Sequence, residues 1–148
     1  MKIRVFLAML IAAPAAFAGE LLPQGTFKGT GEWRAADSSK GQYTVVTTTT
    51  ANSITSRYVY DQGAQGKKEQ ASTQTLVPTG SGFFQVTDET KKVVGRGYCF
   101  DAQCFWTTEF PGGRVEESLR FDGGSLEKFG GKSGPGFSVV WREKLTRE

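Results

Sequence analysis

Two glutamates in this chain, Glu117 and Glu143, occupy positions where a carboxylate could act as a general acid or contact a ligand. Glu117 and Glu143 each alternate with apolar residues, a pattern that places them on the inward face of a strand. The apolar residues that share their parity are Val115, Leu119, Phe121, Val139, Trp141 and Leu145. Burial raises the pKa of a carboxyl group, so an inward carboxylate can act as a general acid or orient a ligand. A bulge that shifts the parity, or a position at the rim of a barrel, would leave the same residues in water.

The chain contains no histidine. Its absence removes the usual near-neutral general base, the Ser/His and Cys/His nucleophile pairs, the commonest zinc ligand and a histidine-ligated haem. Catalysis by carboxylates alone is the route that stays open. We therefore expect that the protein is not an enzyme, and the sequence predicts no catalytic residue, no metal site and no cofactor.

Cys99 and Cys104 enclose four residues, a loop suited to a hairpin whose cysteines face each other across adjacent strands. In an oxidising compartment this spacing predicts a structural disulfide. The alternative is a redox site, but the C-x-x-C spacing and the βαβ context of thiol oxidoreductases are missing.

Residues 1–18 have the features of a cleavable signal peptide. Lys2 and Arg4 precede a short apolar run, and a small-residue cleavage site ends at Ala18. The run is shorter than the roughly 20 residues of a membrane-spanning helix. We expect one all-β domain over residues 19–148, no transmembrane segment, and a periplasmic or secreted protein.

The charge balance argues against a nucleic-acid partner. Of the 18 Lys and Arg residues, two lie in the predicted signal peptide, which leaves 16 against 15 Asp and Glu. A nucleic-acid-binding protein needs a basic stripe that neutralises several phosphates, whereas these charges are interspersed.

The elements that must position the two carboxylates are short strands. Alternating segments rich in Thr, Val and aromatic residues recur about every ten residues, separated by Gly, Asn and Pro turns. This spacing predicts an antiparallel meander. About 8 to 10 strands must close into a barrel or stack as a β-sandwich, because an open meander leaves unpaired edges. Residues 115–120 also fit a short helix, although the glycine pairs on both sides favour a strand.

Gly31, Glu32 and Trp33 on the first strand, with Trp141 and Arg142 on the last, resemble the calycin superfamily, in particular its lipocalin-like bacterial members. The resemblance implies a calycin-like barrel. It further implies that Trp33 is a buried structural plug at one end and that Arg142 packs over it, since a guanidinium stacks well on an indole.

Small residues at alternate positions, Gly29 and Gly31, either relieve crowding where a strand curves or leave room for a ligand. Adjacent aromatic residues occur at Phe83-Phe84 and Phe105-Trp106. One member of each pair should face outward, and we expect Phe84 and Trp106 in any contact surface.

Two functions compete. The first is an exported protein whose barrel binds a small, mostly apolar molecule, with Glu117, Glu143, Gly29 and Gly31 at the site. It requires a cavity of at least about 300 Å³ beside the first and last strands. A carboxylate there would favour an uncharged or cationic ligand over a fatty acid. The second is an exported envelope interaction or inhibitor protein, which has a protein partner and no interior ligand site.

Overall fold

A computed structural model describes residues 20–148 and shows ten strands and one 3₁₀ turn at Gly63–Gln65. The strands are β1 (Gly25–Ala35), β2 (Lys40–Thr50), β3 (Ser53–Asp61), β4 (Lys67–Gly80), β5 (Phe83–Thr87), β6 (Val93–Phe100), β7 (Gln103–Phe110), β8 (Gly113–Asp122), β9 (Ser125–Gly134) and β10 (Phe137–Arg147). The predicted signal peptide and its cleavage point lie outside the described residues.

Each strand pairs antiparallel with its neighbour in sequence, and β1 pairs with β10 to close the barrel. The predicted meander and its closure are confirmed, and the β-sandwich alternative is wrong. Closure removes the free edges that ten strands in an open sheet would expose. Residues 115–120 lie within β8, so the strand interpretation of this segment is also confirmed.

Alternation along the strands directs apolar side chains into the barrel. Near the start of β1, the interior is filled by Phe27, Phe121, Leu126 and Leu145, all buried. Leu22, which precedes β1, is buried with them, and its backbone N–H donates to the carbonyl of Ala51 in the β2–β3 turn. We call this the filled end. Trp33 lies near the other end of β1, which we call the open end.

Cys99 and Cys104 face each other across β6 and β7 and form a disulfide. The predicted pairing is confirmed. Within residues 20–148, no helix is long and apolar enough to cross a membrane.

Candidate functional site

Strand register builds a polar row inside the barrel. Gly31 on β1 pairs with Tyr43 on β2 and with Glu143 on β10, and Glu143 in turn pairs with Lys128 on β9. A carboxylate therefore sits between a tyrosine and a lysine, above the apolar filling of the filled end.

A cavity of about 340 Å³ lies beside this row at the open end. Five aromatic side chains, one carboxylate, one lysine and one valine line it: Trp33, Tyr43, Tyr58, Tyr60, Trp141, Glu143, Lys132 and Val139. A second depression, of about 350 Å³, adjoins it past Trp33 and Tyr60 and is bordered mainly by polar side chains. The first cavity borders both β1 and β10 and has the minimum volume that the ligand-binding hypothesis requires.

Glu143 is 1% exposed, and its two carboxylate oxygens differ. Oε1 accepts a hydrogen bond from the Tyr43 hydroxyl at 2.9 Å. Oε2 is buried and has no hydrogen-bond partner among residues 20–148. Burial raises the pKa of Glu143, against the opposing effects of the Lys128 charge and the Tyr43 hydrogen bond. A buried acceptor without a donor is unfavourable by roughly 1 to 3 kcal/mol, so a ligand that donates a hydrogen bond here would be stabilised.

Glu117 is also buried, but its oxygens are fully engaged. Oε1 lies 3.0 Å from Lys128 Nζ. Oε2 accepts hydrogen bonds from Gln74 Nε2 at 2.7 Å and from Trp106 Nε1 at 3.0 Å. Glu117 does not line the 340 Å³ cavity. The side chain is buried, as expected of an inward position, but its acceptors are used within the protein, and its role as a ligand contact stays a prediction.

Lys128 links the two carboxylates electrostatically. Its side chain is 3% exposed, and Nζ also donates to the Tyr58 hydroxyl at 3.1 Å. Burial by itself lowers the pKa of Lys128, but the charge of Glu117, aided by Tyr58 and Glu143, outweighs it and holds the pKa well above the usual value. The lysine therefore stays charged and neutralises Glu117.

The aromatic walls hold one another in place. The Tyr43 ring lies 5.1 Å from that of Tyr60 and 5.7 Å from that of Tyr58, between ring centroids. Burial, together with the nearby Glu143 carboxylate, raises the pKa of Tyr43, so its hydroxyl remains a donor at neutral pH. Trp33 and Trp141 pair directly across β1 and β10. The site is thus assembled from five strands, β1, β2, β3, β9 and β10, with aromatic rings on its walls and an acid at its base.

Trp33 and Arg142 do not take the places that the calycin resemblance implies. Trp33 is only partly buried and lines the cavity, because it lies at the open end while Leu22 covers the other. Arg142 follows the inward-facing Trp141 and therefore points out of the barrel. Its guanidinium carbon lies 5.2 Å from the centroid of the Phe129 ring on the outer face. The expected plug and cover are corrected accordingly.

Gly29 and Gly31 relieve crowding, and neither lines the cavity at the open end. A Cβ at Gly31 would overlap the ring of Tyr43, and one at Gly29 would overlap the backbone of Lys144 on β10. Their role as ligand contacts stays a prediction. Gly31 has an indirect effect on the cavity, because the Tyr43 ring occupies the space that a side chain at position 31 would need.

Sequence reasoning missed most of the site. Tyr43, Tyr58, Tyr60 and Lys128 were assigned no role in ligand binding, although each shares its parity with a buried apolar residue. Tyr43 alternates with Val45, for example. That signal could have placed the tyrosines inside the barrel, but it carries no information about which end is open.

Within residues 20–148, no group of three or more Cys, Asp or Glu side chains is placed to hold a metal ion.

Outside the barrel, an aromatic row crosses β5 to β7. Phe83 pairs with Tyr98, and Tyr98 with Phe105, at centroid distances of 6.1 and 5.5 Å. All three are exposed, whereas Phe84 and Trp106 are buried. The prediction that one member of each aromatic pair faces outward is confirmed, but the choice of Phe84 and Trp106 as that member is wrong.

Comparison with known proteins supports the fold. No family model matches the chain, and no curated protein matches it. The solved structure of the S-type phycobiliprotein lyase CPES from Guillardia theta is similar, with a TM-score of 0.68 and 9% sequence identity over 84% of this chain and 88% of that one. The fold is a calycin-like barrel. The fold expectation is confirmed.

The same comparison corrects the expectation that the protein is not an enzyme. The similar barrel belongs to a protein named as a lyase, so this fold does not exclude catalysis. At 9% identity, the similarity supports the fold assignment but does not indicate which reaction, if any, this chain catalyses.

Proposed function

We propose that this chain is an exported, lipocalin-like protein that binds a small, mostly apolar molecule in the cavity at the open end of its barrel. The observation that carries the proposal is the cavity of about 340 Å³, which is lined by five aromatic side chains. Glu143, at its base, is a buried carboxylate with one unpaired oxygen. Ligand sites are mostly apolar and contain a few well-placed polar groups that fix orientation.

The energetics favour one end of the interior as the site. The filled end is closed by Leu22 and packed with apolar side chains, whereas Trp33 and Trp141 at the open end keep exposed surface. Covering these two indole rings with an apolar ligand would remove further apolar area from water, which is favourable by about 25 cal/mol per Å². The Glu143 oxygen would then orient the molecule.

Export is part of the proposal. The Cys99–Cys104 disulfide is of the kind that persists in oxidising compartments, and residues 1–18 have the sequence of a signal peptide. We expect the mature single domain to begin at Gly19. The intact mass of the protein recovered from the periplasm or medium tests this, and a product that retains residues 1–18 would contradict it.

Two tryptophan substitutions at neighbouring positions test the cavity. Val139 lines it, whereas Val140 is exposed on the outer face of the same strand. Wild-type protein should take up one equivalent of an environment-sensitive apolar dye. Val139→Trp should abolish the uptake by filling the cavity, and Val140→Trp should retain it. Circular dichroism of all three proteins controls for folding.

The proposal fails if folded wild-type protein takes up no dye, or if Val139→Trp and Val140→Trp bind it equally. Native mass spectrometry of protein purified from its own envelope would then identify a retained molecule where there is one. The interaction-protein alternative, which the exposed aromatic row could serve, stays a prediction.

A further inference from the structure

Resting on the proposed function, we infer that the cavity selects a cationic ligand, specifically an ammonium group bearing apolar substituents. The inference depends on how the buried charges are distributed. It goes beyond the presence of a cavity because it names the chemical group that Glu143 and the aromatic walls would recognise.

Charge counting gives the first argument. Lys128 and Glu117 form an ion pair at 3.0 Å in which both side chains are buried. Glu117 also accepts hydrogen bonds from Gln74 and Trp106. That pair is neutral as a unit. Glu143 is the remaining buried carboxylate beside it, so ionisation of Glu143 leaves the cluster with one uncompensated negative charge. A monovalent cation in the cavity would supply the missing charge at the unpaired oxygen Oε2.

The walls give the second argument. Rings of two tryptophans and three tyrosines line the cavity. A cation within about 6 Å of an aromatic centroid is attracted by the ring quadrupole, most strongly by tryptophan, and methyl or alkyl groups on the nitrogen pack against the same faces. A neutral apolar ligand would leave Oε2 without a donor, and a carboxylate ligand would meet Glu143 as a like charge.

The positive groups nearby compensate Glu143 only in part, although the Lys128 charge does oppose the rise in its pKa. Lys128 is held by Glu117 and by the Tyr58 hydroxyl. Lys132 also lines the cavity, but its Nζ lies 4.6 Å from the centroid of the Phe110 ring. Tyr43 donates a neutral hydrogen bond to Oε1. Tyr60, on the same wall, is uncharged at neutral pH, and burial raises its pKa further above the ordinary value of 10.

Proton exchange should accompany cation binding. Burial raises the pKa of Glu143, so the unliganded protein keeps the proton on this carboxyl group up to a higher pH than an exposed glutamate would. A bound cation stabilises the ionised carboxylate and expels that proton. Affinity for a cation should therefore increase as the pH rises through the pKa of Glu143, whereas affinity for a neutral ligand of the same shape should not.

Three ligands of nearly equal shape test the inference on the full mature chain. Phenyltrimethylammonium is the cation, tert-butylbenzene its neutral isostere, and tert-butylbenzoate the anion. Each is titrated against dye-loaded protein. We expect the cation to bind about tenfold more tightly than the neutral isostere, which corresponds to about 1.4 kcal/mol, and the anion to bind weakest. Calorimetry in two buffers of different ionisation enthalpy should show proton release with the cation alone.

Glu143→Gln keeps the shape of the side chain and removes its charge, so the preference for the cation should disappear while the neutral isostere still binds. Lys144→Gln, at the neighbouring outward position, is the matched control and should keep the preference. The inference is overturned if the neutral isostere binds wild-type protein as tightly as the cation, or if Glu143→Gln retains the preference. Should the variant not fold, the wild-type ratio and proton release still decide. Failure of the dye and all three ligands to bind would instead refute the proposed function, and this inference with it.

Discussion

Replacing Lys128 by Met should destabilise the barrel strongly. The substitution keeps the length of the side chain and removes its charge. It leaves Glu117 as a buried carboxylate that has lost the ammonium group 3.0 Å away, and it removes the donor to the Tyr58 hydroxyl. The loss in free energy of unfolding therefore comes from leaving a buried charge without compensation and not from losing a packing contact.

The expected loss is about 3 to 5 kcal/mol, the range measured when one partner of a buried ion pair is removed. It lies toward the lower end because Gln74 and Trp106 continue to donate hydrogen bonds to Glu117. A domain of this size is stable by about 5 to 15 kcal/mol, so the variant should still fold but unfold at a clearly lower denaturant concentration.

Urea titrations at neutral pH, followed by tryptophan fluorescence and by far-ultraviolet circular dichroism, measure the loss. Arg114→Met is the matched control, because Arg114 and Glu116 form an ion pair at 3.5 Å in which both side chains are more than half exposed. An exposed pair contributes about 0 to 1 kcal/mol. The double variant Glu117→Gln/Lys128→Met removes both buried charges and should recover most of the stability lost by Lys128→Met.

Two results would refute this reasoning. One is a Lys128→Met variant no less stable than Arg114→Met, which would mean that water reaches the ion pair. The other is a double variant as unstable as the single one, since the loss would then come from packing around residue 128 and not from the charge left on Glu117.

Three further predictions concern stability. Gly31→Ala should cost about 1 to 3 kcal/mol in thermal or urea unfolding because its Cβ would overlap the Tyr43 ring, whereas Gly124→Ala, whose Cβ meets nothing within 4 Å, should change little. Replacing both cysteines by Ser should lower the free energy of unfolding by about 2 kcal/mol and leave dye binding intact; loss of binding by a folded variant would argue against a purely structural disulfide. Between the ordinary pKa of 4.5 and the raised pKa of Glu143, the folded chain binds more protons than the unfolded one, so stability of the unliganded protein should fall as pH rises through this window. Glu143→Gln should flatten that slope, and an unchanged slope would assign it to another group.

The fold could be predicted because its two signals are local. Period-two alternation defined the strands, and ten short antiparallel strands have few ways to avoid open edges. β9 shows where local signals fail. Paired glycines are typical of turns, but Gly130 and Gly131 continue β9, which runs to Gly134. A Cβ at Gly130 would overlap the Trp141 ring, so this glycine is required for close approach and not for a turn. The presence of a glycine in the sequence does not distinguish a turn from a strand position where two elements approach closely.

The site could be predicted only in part, for a related reason. Parity placed Glu117 and Glu143 inside, and both are buried. What distinguishes them is a third residue, Lys128 on β9, whose shared parity with Leu126 places it inside the barrel but does not reveal its partner. Register across strands, and not order along one strand, brings Lys128 within 3.0 Å of Glu117 and leaves Glu143 Oε2 unpaired.

The pKa of Glu143 thus depends in part on Lys128, a residue that does not line the cavity. Lys128 lies between two carboxylates, and the closer engagement of Glu117 limits what its charge can do for Glu143. Burial then dominates and raises the pKa of Glu143. If Glu117 were neutral, the Lys128 charge would be available to Glu143, which would lower its pKa and cancel the negative charge that faces the cavity. If the proposed function is right, the buried ion pair therefore has a role beyond stability, because it limits how far the Lys128 charge compensates Glu143.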